Sequence, residues 1–176
     1  MFQKLVLALI ISLLPQAVMA AAAPFGMTIG TATLHDVNRE LGPKTKLEIA
    51  GVNKWTNGPM LKSDGSGLGI DGLQSVYFIF TPQGKLVGVF LTLPKERYAS
   101  IKNSLRSKYK LVSAQEPFVG NQLAKFQDGN VAIEASAPHM SFEMELSYTN
   151  DEFRSLRNQK MQAEATQKRQ REQSTL

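Results

Sequence analysis

The chain opens with an apolar run, Leu5 to Leu14, interrupted only by Ser12 and ended by Pro15. Further on, the pattern changes to short periodic segments separated by turn residues. Phe25 to Ile29 reads as a first short strand. Leu34, Val37 and Leu41 recur at i, i+3 and i+7, which predicts a helix over 33–41 with one apolar face. Thr31 or Thr33 can cap it, and Gly42-Pro43 stops it. Lys46 to Ala50 alternates, with Leu47 and Ile49 on one side, and Met60-Leu61 reads as a short strand. Ser75 to Phe80 and Leu86 to Leu93 are the clearest strands, joined by a tight turn at Pro82-Gln83-Gly84-Lys85. Both are apolar on both faces, which predicts a central place in the sheet.

The second half repeats the rhythm. Pro94 begins a helix to about Lys108, with Tyr98, Ile101 and Leu105 as its buried stripe. Strands are predicted at about 110–118, 122–127 and 130–136, with Asp128-Gly129-Asn130 turning the last two. A final strand, Ser141 to Tyr148, sends Phe142, Met144, Leu146 and Tyr148 inward, and Glu143, Glu145 and Ser147 outward. Asn150 or Asp151 can cap a last helix anchored by Phe153 and Leu156. After Met161 the apolar stripe ends, so 150–176 is predicted as a polar helical or frayed tail.

The predicted fold class is therefore α+β. An antiparallel sheet, continuous or in two closely joined parts, is built from two helix-plus-strand-meander units at about 25–93 and 94–149. Its helices are expected on one side, and residues 21–149 form the domain. The helix ending Thr33-x-x-x-Val37-x-x-x-Leu41-Gly42, followed by a meander, resembles the small αβ modules of exported bacterial proteins. The β-lactamase-inhibitor-protein-like fold uses two in tandem, and the small lipoprotein of the outer-membrane assembly machine uses one. The resemblance covers architecture over 25–149 and implies one class of task, binding another protein. Neither the disulfides of those inhibitors nor the lipidated Cys of that lipoprotein has a counterpart here, so no site residue is carried over.

Composition sharpens the address. Lys4, the short apolar run and Val18-Met19-Ala20 form a secretory signal peptide over 1–20, cut after Ala20. The run is too short to span a bilayer, which takes roughly 20 apolar residues. The mature chain is expected to be periplasmic or secreted, with no transmembrane segment. The 176 residues contain no Cys, which removes a lipoprotein anchor, a c-type haem and a Cys-based zinc site. The net charge of +5 is mild, and the basic residues are interleaved with acids, so no nucleic-acid partner is expected.

Candidate chemistry is sparse. The loop Asp64 to Gly72 offers oxygens from Asp64, Ser66 and Asp71. It lacks the acid spacing and closing Glu of a calcium loop and the Lys and helix of a phosphate loop, and its other reading is a plain surface connection. Trp55, the single tryptophan, is either an interface anchor or a cap on the core edge. His35-Asp36 are helix neighbours that point apart, and His139 follows Pro138 in a turn setting. Glu143 and Glu145 share a strand face but read as a solvated edge. The tail charges lack the apolar face that membrane insertion needs. No catalytic set, metal site or cofactor is implied. The sequence reads as a non-enzymatic binding protein with a protein partner in the cell envelope, recognised through loop 51–72 and the exposed sheet face or tail. A small apolar-ligand carrier, with an apolar pocket between helix and sheet, is the alternative, and a hydrolase ranks below both.

Overall fold

Thr33 starts the first helix, α1 (Leu34–Leu41), through a reciprocal cap: Asp36 N–H donates to Thr33 Oγ1 at 3.1 Å and Thr33 N–H donates to Asp36 Oδ2 at 2.9 Å. The computed structural model describes residues 22–175, so the signal peptide expected over 1–20 lies outside the described residues. After α1 come β1 (Glu48–Val52), β2 (Pro59–Ser63), β3 (Ser75–Phe80) and β4 (Leu86–Pro94). Then follow α2 (Tyr98–Arg106), β5 (Lys110–Gln115), β6 (Gln122–Asp128), β7 (Val131–Ala137), β8 (Glu143–Asn150) and α3 (Asp151–Thr175).

All eight strands form one antiparallel sheet in the order β1-β2-β3-β4-β8-β7-β6-β5. The two predicted central strands meet this expectation: β3 and β4 lie inside the sheet, and β4 pairs with β8 from Gly88↔Thr149 to Pro94↔Glu143. Their two-sided apolar pattern has a direct cause, since both faces are covered. Val76, Phe78, Val89 and Leu91 join Val37 and Leu41 of α1 and Tyr98 and Leu105 of α2 in the main core. On the opposite face Ile79 and Val87 pack with Phe153 of α3. A bulge permits this, because Ile79 pairs with Gly88 and Phe80 with Leu86, so the strand spends one extra residue and turns Val87 over.

Several expectations need correction. The helices do not share one side, because Phe153, buried at 2% exposure, anchors α3 on the second face. Residues 25–29 form no strand. Pro24 opens a 3-10 turn through Gly26, and Phe25 sits at φ 56°, which breaks a two-residue alternation. Ile49 does not face the core. β1 is an edge strand with irregular register between Ile49 and Val52, and Ile49 is exposed while Leu47 packs inward. Phe142 also stands exposed, since β8 begins one residue later at Glu143. The helix predicted from Pro94 starts as a 3-10 turn, Lys95–Arg97. The polar tail is a single helix through Thr175, capped by Asn150 Oδ1, which accepts from Phe153 N–H at 2.9 Å.

Candidate functional site

The glycine-rich loop does not gather its oxygens into a ligand cage. Asp64 Oδ1 accepts from Ser66 N–H at 3.0 Å and Ser66 Oγ–H at 2.7 Å, and these bonds hold the Asp64 carboxyl below its usual range. Asp71 turns elsewhere and accepts from Arg97 Nη1 at 2.7 Å. Gly67, at φ +77°, lets the loop press against the segment after α1: a Cβ there would lie 1.9 Å from the Lys44 carbonyl oxygen. The loop is a tightly fitted connection whose far end, Gly69 to Asp71, borders a cleft.

Trp55 sits in the β1–β2 turn. Asn53 Oδ1 fixes that turn by accepting from Trp55 N–H at 2.9 Å and Thr56 N–H at 3.1 Å. Half-buried, Trp55 packs against the second-face cluster with Met60, Tyr77 and Phe90, and the Lys54 ammonium lies 3.8 Å from its ring centroid. A shallow hollow of about 270 Å³ is lined there by Trp55, Tyr77, Phe90, Phe153 and Glu145. Glu145 is raised in pKa, first by desolvation and second by the Glu134 charge, although part of its side chain stays open to water. Trp55 and the loop oxygens thus lie in different places, and the four predicted site residues do not form one site.

A larger cleft, about 460 Å³, lies on the α1/α2 face. Its floor is Leu91 of β4 and Leu146 and Tyr148 of β8; one wall is Ile101 and Leu105 of α2, and the other is Phe25 with Ile70 of the glycine-rich loop. Arg97 stands where that loop meets α2 and ties them together through Asp71. Its Nε is buried with no hydrogen-bond partner among the described residues. Lys108 and Tyr109 line the other end, and the Tyr109 and Tyr148 rings meet edge-on at 6.3 Å. Burial raises the pKa of both tyrosines, so both hydroxyls stay protonated at neutral pH. The carrier alternative placed an apolar pocket between helix and sheet, but sequence reasoning named only Asp71 as a site residue among those that line this cleft. Its one legible signal was the polar end of the α2 stripe, where Arg97 and Lys108 flank apolar positions.

Among the described residues neither histidine ring gains a hydrogen-bond partner. His35 and His139 are both exposed, on α1 and on the β7–β8 loop. Among the described residues no group of three His, Asp or Glu is placed to hold a metal. A feature that sequence reasoning missed lies at the far corner of the sheet. Phe118 and Val119 on the β5–β6 loop, and Met140 and Phe142 on the β7–β8 loop, are all exposed. The loops are tied by His139 N–H donating to Asn121 Oδ1 at 2.8 Å, and Lys95 Nζ donates to the Pro138 and His139 carbonyls at 2.6 and 2.9 Å. The signal was Phe118-Val119 standing between Pro117 and Gly120, apolar residues inside a turn. Among the described residues no helix is long and apolar enough to cross a membrane. No family model, curated protein or solved structure matches the chain.

Proposed function

We propose that this is an exported, non-enzymatic binding protein and that the cleft between α2 and the sheet is its ligand site. One observation carries the reading: about 460 Å³ of concave space with an apolar floor and a few polar groups at its ends. That size and lining are those of a site for one small molecule. The carrier alternative thereby moves ahead of recognition through loop 51–72. Export rests on Lys4, the Leu5–Leu14 run and Val18-Met19-Ala20, which make the compartment periplasmic or secreted. N-terminal sequencing of the exported protein should give Ala21 first; an uncut Met1 would remove this support. The division into units 25–93 and 94–149, and with it the likeness to tandem αβ modules, is supported by the strand order, in which each run of four ends at the β4–β8 seam.

The cleft is tested with an environment-sensitive apolar dye. One dye per chain should bind, and Ile101→Gln, a change in the half-exposed wall, should weaken binding about tenfold with little shift in melting temperature. Unchanged affinity in a folded variant would sink the reading. A protein partner in the envelope remains a second reading, carried by the four exposed apolar side chains at 118–119, 140 and 142. Crosslinking from a photoreactive residue placed at Val119 in envelope extract should give a discrete adduct that Phe118→Ser and Phe142→Ser abolish. Adduct yield indifferent to both changes would count against it.

A further inference from the structure

We propose that the cleft takes a single-chain amphiphile with an anionic head, the acyl chain lying on the leucine floor and the head at Arg97. This rests on the cleft being the ligand site. The chain end is argued from the middle of the cleft: Leu91 and Leu146 lie almost wholly buried beneath the space, and Ile101, Leu105 and Ile70 flank it, so an apolar tail meets hydrocarbon there before it reaches Ser104, Lys108 and Tyr109. The head is argued from Arg97. A guanidinium presents its donors as a planar fork that suits the two oxygens of a carboxylate or phosphate. Here one prong is engaged, Nη1 to Asp71 at 2.7 Å, while Nε has lost water and gained no acceptor. An N–H in that condition carries a desolvation cost, which a turn of the guanidinium toward an arriving oxygen relieves.

Asp71 shows what the fork accepts. Its carboxylate reaches Arg97 from solvent, with a side chain 95% exposed, so it is a displaceable anion and not a buried partner. It acts as an internal stand-in for the ligand head. Removing its charge should therefore strengthen ligand binding, an effect that a purely structural Arg97–Asp71 tie would not produce. Lys108, in the turn just after α2, leaves the far end of the cleft bordered by a flexible ammonium that can swing aside.

The test is titration of the full mature chain, below micelle concentrations, with dodecanoate, dodecyl phosphate, dodecyltrimethylammonium and decanoate. Both anions should bind at least tenfold more tightly than the cation of equal tail. Decanoate should bind more weakly than dodecanoate by about fourfold for each methylene removed. Arg97→Gln should abolish the preference for anions, Arg97→Lys should restore part of it, and Asp71→Asn should tighten dodecanoate two- to fivefold. The ratio of dodecanoate to dodecyl phosphate tells a fatty-acid head from a phosphate-ester head; either preference supports the proposal. Equal binding of the cationic amphiphile would overturn the anionic head while leaving the cleft a binding site. If the apolar dye binds and no amphiphile does, the proposal falls alone; if the dye fails too, both readings fall. Should Arg97→Gln not fold, the decision passes to Asp71→Asn at its exposed position, and unchanged or weakened anion binding there would overturn the proposal.

Discussion

Thr33 shows how much one side chain decides. Its hydroxyl accepts from the Asp36 N–H and donates to the Asp36 carboxylate, which also receives the Thr33 N–H; the hydroxyl bond first and the backbone bond second hold Asp36 below the usual carboxylate range. Thr33→Ala should cost about 1 kcal/mol in urea unfolding, and Thr33→Ser very little. Tyr98 makes a different prediction. Its ring is buried in the main core, and burial first, with the Glu116 charge second, pushes its pKa up to about 12. The unfolded chain loses that proton near pH 10, before the folded one does, so the folded state is the one holding the proton in between. The contribution is complete below pH 10 and is lost as pH rises toward 12. Urea midpoints should fall over that range, and Tyr98→Phe should flatten the fall, leaving the part due to Tyr109 and Tyr148, which are also raised. Sequence alone marked Thr33 as a cap from its position and oxygen. It could not mark Arg97, whose meaning depends on Asp71, 26 residues away.

At the scale of elements, α3 divides into two parts. Phe153 fills the space above Ile79 and Val87 and meets Phe90 at 5.7 Å, and Lys160 reaches back to the Lys54 carbonyl and to Asn57 Oδ1. From Met161 to Thr175 every side chain is exposed. Phe153→Ala should therefore cost about 3 kcal/mol or more, whereas truncation after Met161 should change the melting temperature by less than about 2 °C, since surface changes stay near half a kcal/mol. A melting temperature that falls as far on truncation as in Phe153→Ala would contradict this division. The anchor was legible, because Phe153 and Leu156 stand alone before a polar run. The face it covers was not, because that depends on where β8 ends in the sheet.

For the whole molecule, the strand order leaves β1 and β5 as open edges, each with apolar residues in solvent: Ile49 and Val52 on one, Val112 on the other. Open edges invite pairing between chains, and a charge on an edge opposes it. Val112→Lys should keep stability within about half a kcal/mol while lowering light scattering on heating; unchanged scattering would remove the edge as the cause. The cleft also belongs to this scale. α1 and α2 cover separate parts of one face, and the cleft between α2 and the sheet is bordered on its other side by the turn at Phe25 and the glycine-rich loop.

What the sequence determined by itself is local: helix and strand periodicity, turn glycines, caps, the absence of Cys, and the two-sided apolar strands that had to be central. These depend on residues within a few positions of one another. Only the tertiary structure decided which face each helix covers, that Ile49 and Phe142 point outward, that Trp55 and the loop oxygens stand apart, and that Arg97 borders a cleft with an unfilled donor. Each of these follows from strand order and register. Pairing β4 with β8 joins residues 49 to 61 positions apart, and no short-range pattern in the chain encodes that distance.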